Sequence, residues 1–152
     1  MRAEYVNSFI VALKSIVEQT LGSQLTLGKP EVNSKQSIVM PVAILIGLTR
    51  GIKGQVAISM EKNTALAIAN TMIGSNNFTS LNDMTLSALG EMSNWIMGRA
   101  STNLSSQGIS ADITPPTILT GDNMRLNSLK SNCITIPFAS SVGSILLDIA
   151  VD

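Results

Sequence analysis

Two parts of the sequence each contain a pair of apolar, strand-like segments separated by only a few residues. The first pair covers residues 38–48 and 52–60, and the second covers residues 129–138 and 142–151. A connection this short cannot return the chain to the far end of a strand, so each pair is predicted to form an antiparallel hairpin. Any fold for this chain therefore contains two hairpins, and an antiparallel sheet is favoured over a parallel one.

Helical periodicity precedes each hairpin. Residues 3–21 repeat apolar side chains every three to four positions, and Gly22 follows as a residue that commonly ends a helix. A second helix is predicted to begin at a cap formed by Asn63 or Thr64 and to run to about residue 73. The third and longest helix is predicted from about residue 82 to residue 105.

The two halves of the chain show the same order of features. Each half has an amphipathic helix that ends near a glycine, a segment that contains proline, and two strands. We interpret this order as two diverged helix–strand–strand repeats. Helices packed on one antiparallel sheet satisfy the pattern, so the predicted fold class is α+β. Residues 112–121 are expected to be irregular, with Pro115 and Pro116 shaping a turn.

The sequence contains no histidine and a single cysteine, Cys133. The lack of histidine excludes histidine nucleophilic relays, histidine general bases and most zinc and iron sites. One thiol cannot form an internal disulfide, and we predict that Cys133 is a small core residue in a strand. If the chain is an enzyme, its chemistry uses carboxylates, amides or hydroxyls, or a metal ion that another molecule binds.

Ten basic residues balance ten acidic residues, so the net charge is zero. This balance gives no electrostatic reason to expect nucleic acid or an anionic membrane surface as the partner. The longest apolar run, residues 41–47, is too short to cross a bilayer, and no secretory signal is recognised. We therefore expect one domain, residues 1–152, in the cytoplasm.

The third helix separates an apolar stripe from a face of small and polar side chains. At about 100° per residue, the stripe consists of Leu81, Thr85, Ala88, Leu89, Met92, Trp95 and Ile96. Glu91 and Asn94 lie three residues apart on another face and are therefore neighbours. The residues around this pair are all small: Ser87, Gly90, Gly98 and Ser101. Such a surface leaves the carboxylate and the carboxamide accessible to another protein.

Each of these features also has a purely structural interpretation. A surface helix often carries a glutamate and an asparagine, and glycines inside helices often mark close packing. Trp95 is expected to be buried at the edge of the stripe. Met97 is expected to point outward beside the pair, where it could contact a partner. Spacing alone makes Glu91 and Asn94 a candidate site without assigning them a role.

Residues 91–98 (EMSNWIMG) resemble the signature of the CheC/CheX/FliY phosphatases, a glutamate followed by asparagine after two residues and by glycine after three more. Three further segments are similar to the CheX pattern: residues 47–54 (GLTRGIKG), 86–91 (LSALGE) and 112–121 (DITPPTILTG). Together these segments occur in order between residues 47 and 121. The resemblance implies a CheC-like fold and a phosphatase that acts on the aspartyl phosphate of a CheY-like response regulator.

The resemblance also implies roles for individual residues. Asn94 orients the attacking water, and Glu91 forms an ion pair with a lysine of the regulator. Small residues and a methionine around the pair are expected to contact the regulator: Ser87, Gly90, Met97 and Gly98. No cofactor is expected on this chain, and Mg²⁺ is expected in the regulator's own site.

A homodimer joined through its sheet is a further implication of the resemblance. The nearly uncharged segments 41–47 and 145–151 would be liabilities as exposed sheet edges, and pairing an edge with a second copy removes that hazard. A non-catalytic adaptor for phosphorylated receiver domains is the alternative function. A purely structural dimeric domain is the third.

A second glutamate–asparagine pair with the same spacing occurs in the first helix, at Glu4 and Asn7. Relatives such as CheC carry the motif in both halves. Here Val11 stands at the position that matches Gly98, and Glu4 lies in a stretch expected to fray. Glu4 and Asn7 are therefore not included in the predicted site.

Overall fold

The computed structural model describes residues 2–33, 36–127 and 133–151. In these residues the helices are α1 (Ala3–Leu21), α2 (Lys62–Ile73) and α3 (Asp83–Ser105). The strands are β1 (Thr26–Leu27), β2 (Glu31–Asn33), β3 (Gln36–Ile38), β4 (Val42–Gly51), β5 (Gly54–Met60), β6 (Ala111–Ile113), β7 (Thr117–Thr120), β8 (Arg125–Asn127), β9 (Cys133–Ser140) and β10 (Gly143–Val151). The α+β class predicted from the sequence is confirmed.

One antiparallel sheet forms the centre of the fold. Its described strands follow the order β1-β9-β10-β5-β4-β6, with β2 also paired to β9 and β7 also paired to β4. The strands β3 and β8 pair separately. Both predicted hairpins are present, as β4–β5 and β9–β10, and β5 and β10 are hydrogen-bonded to each other. The two hairpins thus supply the four central strands.

The register of the central strands directs one set of apolar side chains toward the helices. Ile58 of β5 lies opposite Ile44 of β4 and Leu147 of β10, and none of the three is more than 1% exposed. Phe9 of α1 and Leu89 of α3 belong to the same apolar core. The sheet and the helices therefore bury one continuous core, which fixes the orientation of α3.

Segments 41–47 and 145–151 lie inside the sheet. β4 runs between β5 and the short strands β6 and β7, and β10 runs between β9 and β5. The chain itself pairs both sides of each segment, so the argument for a dimer based on their exposure as edges does not hold.

The predicted ends of two helices are confirmed. Gly22 follows α1 with a φ of 68°, and its N–H donates to the Glu18 carbonyl at 2.8 Å. At the start of α3, the Asn82 side chain accepts from the Thr85 N–H at 2.9 Å, and the Thr85 hydroxyl accepts from the Asn82 N–H at 2.8 Å. This reciprocal capping box satisfies donors that the helix itself leaves unpaired.

The predicted start of α2 is wrong. The helix begins at Lys62, and Glu61 occupies the N-cap position without a side-chain hydrogen bond. Asn63 and Thr64 already lie inside the helix, and the Thr64 hydroxyl donates to the Val142 carbonyl at 2.8 Å. Thr64 thus ties α2 to the β9–β10 turn instead of capping the helix.

The expectation that residues 112–121 are irregular is also wrong for most of that segment. β6 and β7 both pair with β4, and Ile118 lies opposite Ile44. Of this segment, Gly121 and the connection between β6 and β7, which contains Pro115 and Pro116, lie outside the strands. Proline has no N–H to donate to a sheet ladder, which explains the interruption.

Part of the predicted strand 129–138 lies outside the described residues, and β9 begins at Cys133. Cys133 is 4% exposed, which confirms its predicted place in the interior. The two-repeat interpretation is not tested by this geometry and stays a prediction. Among the helices of the described ranges, none combines the length and the hydrophobicity that a membrane crossing requires.

Candidate active site

Glu91 and Asn94 lie side by side on the outer face of α3. The opposite face of the helix is buried in the core, where Met92 and Ile96 are at most 1% exposed. Glu91 and Asn94 are both exposed. Within the described part of the chain, neither side chain has a hydrogen-bond or ion-pair partner. The carboxylate and the carboxamide are therefore available to another molecule.

Small residues on the same face leave Glu91 and Asn94 projecting above the surrounding surface. Ser87 and Gly98 are exposed on the same face. Apart from the surrounding helix backbone, a Cβ atom at Gly98 would have no heavy atom within 4 Å. Internal packing therefore does not require glycine here, although glycine in a helix interior costs about 1 kcal/mol relative to alanine. The lost stability is consistent with a close approach by something outside the chain.

Gly90 lies on the flank of α3 that faces β7. A Cβ atom at Gly90 would meet Ile118 Cδ1 and Pro116 Cγ at 4.0 Å, which is an ordinary contact distance. The Gly90 carbonyl accepts a hydrogen bond from the Ser93 hydroxyl at 2.7 Å. Gly90 is therefore at the margin of the exposed face and half-buried, whereas Gly98 is open.

The prediction that Met97 points outward is wrong. Its side chain is 2% exposed. Met97 lies on the flank of α3 that faces residues 113–116, and it lines one groove together with them. A helical wheel of α3 alone places Met97 outside the stripe, because the wheel contains no information about a segment that arrives from elsewhere in the chain.

The prediction that Trp95 is buried is also wrong, because 47% of the residue is exposed. Trp95 lines a groove of about 250 Å³ together with residues of α1 and α2, namely Ile16, Gln19, Thr20 and Met72. The neighbouring helices do not close over this part of α3. Trp95 follows Asn94 directly, and one residue turns the helix by about 100°. The indole therefore lies on the flank opposite to the one that Met97 occupies.

Sequence reasoning missed the residues that face Asn94 across a second groove. α3 contributes Asn94, Met97 and Gly98 to this groove, residues 113–116 form its other wall, and its volume is about 360 Å³. Pro115 is exposed at the rim and Pro116 is half-buried. The sequence assigned these prolines only to a turn. The resemblance of residues 112–121 to the CheX pattern was the signal that could have placed them near the site.

Thr114 fixes the second wall of the groove to the central sheet. Its N–H donates to the Gly47 carbonyl at 3.0 Å, and its hydroxyl accepts from the Gly47 N–H at 2.8 Å. A Cβ atom at Gly47 would come within 3.1 Å of the Thr114 hydroxyl oxygen, so glycine permits the close approach. An exposed ion pair of 3.1 Å also joins Arg50 to Asp112. The two segments that resemble the family outside α3 are therefore in direct contact.

The exposed pair offers an anionic acceptor and a neutral group that both donates and accepts. The described ranges contain no cluster of three or more acidic, cysteine or histidine residues that could hold a metal ion. The expectation that the chain binds no cofactor stays a prediction. The chemistry available on this face is ion pairing by Glu91 and orientation of a polar molecule by Asn94.

The second motif differs from the first in its surroundings. Glu4 forms an exposed ion pair with Arg2 at 3.2 Å. Its pKa lies below the ordinary value because its own backbone N–H donates to the carboxylate and because Arg2 stabilises the anion. Val11 is 56% exposed and projects beside Asn7. The engaged carboxylate and the branched side chain both support leaving Glu4 and Asn7 out of the site.

Comparison with known proteins identifies a family that matches most of this chain. The model of the family described as Chemotaxis phosphatase CheX matches residues 42–139, which include α3 and the groove next to it. The CheY-P phosphatase CheX of Thermotoga maritima is 33% identical over 128 residues, which are 84% of this chain and 83% of that protein.

Solved structures show the same fold over nearly the whole chain. A CheC-like superfamily protein from Shewanella sp. PV-4 superposes with a TM-score of 0.89 at 26% identity, covering 100% of this chain and 99% of the other. A chain of the CheX-CheY-BeF3-Mg complex from Borrelia burgdorferi superposes with a TM-score of 0.83 at 28% identity, covering 99% of each chain.

Proposed function

The chain belongs to the CheX family of chemotaxis phosphatases, and we propose that it hydrolyses the aspartyl phosphate of a CheY-like response regulator. The relative from Thermotoga maritima is a CheY-P phosphatase, and the complex from Borrelia burgdorferi joins CheX to CheY. One observation carries the proposal for this chain. Glu91 and Asn94 are exposed on the same face of α3 as Gly98, where an added Cβ would meet no heavy atom within 4 Å apart from the surrounding helix backbone.

Asn94 orients the attacking water. Hydrolysis requires a water oxygen in line with the bond between phosphorus and the aspartyl oxygen. A new P–O bond forms while that bond breaks, releasing inorganic phosphate and the regulator's carboxylate, and the proton lost by water leaves with the phosphate. The carboxamide oxygen of Asn94 accepts a hydrogen bond from the water and turns its lone pair toward phosphorus. Positioning of this kind is most of the work in phosphoryl transfer.

Glu91 sets the docking register. Its carboxylate is exposed on the same face as Asn94 and forms an ion pair with the lysine of the regulator's phosphorylation site. Exposed ion pairs contribute at most about 1 kcal/mol. Truncating one partner of a buried pair at an interface costs about 2–5 kcal/mol, because the other charge is left without a partner. Removal of Glu91 therefore weakens binding more than it slows the chemical step.

The remaining parts of the reaction come from the regulator. Mg²⁺ held in the regulator's own site neutralises charge on the phosphoryl oxygens. The small side chains at Ser87 and Gly98 let that site approach Asn94 closely, and Gly90 borders the same surface. A reaction of this kind needs no histidine, in agreement with the composition of the chain.

We also propose that the protein is a cytoplasmic homodimer. Val32 on the outer strand β2 is 78% exposed, and Leu27 on β1 is 44% exposed. Apolar residues on an outer strand favour covering by another chain. Light scattering on purified protein, with Val32→Lys as the variant, tests the dimer and its edge. A monomeric mass for the wild-type protein contradicts the proposal.

The adaptor reading predicts binding to the phosphorylated receiver without faster loss of its phosphate. The test uses a CheY-type receiver phosphorylated by a small phosphodonor in Mg²⁺, with phosphate release followed over time. The phosphatase function predicts faster phosphate release with wild-type protein and a higher KM for Glu91→Ala. If the protein binds each of the organism's phosphorylated receivers and leaves the phosphate lifetime unchanged, it is an adaptor and not a phosphatase.

A further inference from the structure

The groove beside Asn94 is part of any surface that a receiver covers. Asn94 lines the groove itself, and Pro115 and Pro116 stand on the opposite wall. The Asn94 carboxamide must reach a water next to the receiver's phosphoaspartate. The receiver surface that surrounds the phosphoaspartate therefore lies over this groove as well as over Glu91.

The proline wall is held in place before any partner arrives. Thr114 makes two hydrogen bonds to Gly47 of β4, at 2.8 and 3.0 Å. Immediately after the prolines, β7 continues the pairing with β4. Each proline ring fixes its own φ angle. A wall that is rigid in the free protein loses little conformational entropy when a partner docks.

The chemical character of the groove differs from that of the Glu91 side of α3. Its lining residues include no charged side chain, and Ile113, Pro115, Pro116 and Met97 make most of it apolar. The Thr114 hydroxyl already accepts a hydrogen bond from Gly47. The groove therefore suits an uncharged, apolar side chain and offers nothing that selects an anion.

We infer that the Pro115–Pro116 wall is a specificity-determining contact for the regulator, which inserts an apolar side chain next to its phosphoaspartate into the groove. This inference rests on the proposed function, because it uses the same approach of the receiver to Asn94. Glu91 then recognises what receivers have in common, a lysine, and the proline wall recognises what differs among them. Receivers with a charged residue at the inserted position bind poorly.

The test places a charge on the rim of the groove. Pro115 is exposed, so Pro115→Glu alters the wall without removing buried atoms. Asn76→Glu is the control, since Asn76 is also exposed and lies in the connection between α2 and α3, outside both the proposed receiver surface and the proposed dimer edge. Thermal unfolding of both variants confirms that they remain folded. Pro115→Ala serves as a milder second variant if the charge disturbs the segment.

Two measurements are made on each variant. The first is the Kd for a receiver activated by beryllofluoride and Mg²⁺, and the second is the kcat and KM for loss of receiver phosphate. Pro115→Glu is expected to raise both Kd and KM by about tenfold, which corresponds to about 1.4 kcal/mol, with kcat changed by less than about twofold. Asn76→Glu is expected to match wild type. A kcat loss with unchanged KM, or a Pro115→Glu variant equal to Asn76→Glu, overturns the inference.

The inference and the proposed function fail in different ways. If wild-type protein binds activated receivers without accelerating phosphate loss, the proposed phosphatase function is wrong. The Kd values of the variants still decide the role of the proline wall. If wild-type protein accelerates phosphate loss and Pro115→Glu has no effect on Kd or KM, only the inference about the wall fails.

Discussion

Alanine in place of Gly98 is expected to make the protein more stable and less active at the same time. A Cβ atom at this position meets no heavy atom within 4 Å outside the helix backbone, so the substitution introduces no clash. It replaces a helix-interior glycine, which is about 1 kcal/mol less favourable than alanine. For a chain of this size, such a gain raises the Tm by about 2–4 °C.

The same methyl group stands on the surface that the receiver must approach. A misplacement of about 1 Å between reacting groups costs on the order of a hundredfold in rate. We expect Gly98→Ala to lose about tenfold in kcat/KM, since the interface can partly adjust around one methyl group. Gly98→Leu, which suits a helix almost as well, is expected to lose at least about a hundredfold.

Circular dichroism gives the Tm of these variants, and loss of phosphate from the receiver gives their activity. Ser105→Ala is the control, because Ser105 is exposed at the C-terminal end of α3 and adds no bulk near Asn94. It is expected to retain full activity. A Gly98→Leu variant as active as wild type would refute the reasoning, because no receiver could then lie against that surface. A lower Tm for Gly98→Ala would refute the claim that the position is open.

Three further predictions concern stability and binding. The pKa of Glu18 is lowered by hydrogen bonds from Lys14 and from the Leu25 N–H. The ionised Glu18 carboxylate therefore stabilises the fold above the ordinary glutamate pKa, about 4.3, and this stabilisation is lost as the pH falls through the lower pKa of the folded protein. Urea titrations should find Glu18→Gln less stable than wild type at pH 7 and equally stable in acid. Asn82→Ala removes the α3 cap and should cost about 1 kcal/mol in the same assay. Trp95, the single tryptophan, is 47% exposed, so its fluorescence should change when an activated receiver binds beside Asn94; binding without any such change contradicts that placement.

The hairpins and the limits of α1 and α3 could be predicted because each depends on neighbours in sequence. A short connection forces β9 and β10 to be antiparallel, and Asn82 followed by Thr85 is enough to cap a helix. The outward placement of Glu91 and Asn94 follows from the period of one helix in the same way. These features depend only on residues that are close to one another in the sequence.

The errors lie where distant segments meet. Met97 is buried on the flank of α3 that faces residues 113–116, and Trp95 is exposed on the flank that faces α1 and α2. Neither fact depends on the sequence of α3. The strand character of β6 and β7 comes from pairing with β4. Propensity and proline content therefore gave the wrong assignment for residues 112–121.

The central claim is that Asn94 orients the attacking water, while the surface around it binds the phosphorylated receiver. The most direct measurement is the lifetime of the phosphorylated receiver at saturating wild-type protein and at saturating Asn94→Ala, with the Kd of each for the beryllofluoride-activated receiver. The account predicts that Asn94→Ala lengthens the lifetime by about a hundredfold or more relative to wild type, with Kd changed by less than about threefold. An Asn94→Ala variant that shortens the lifetime as effectively as wild type contradicts the account.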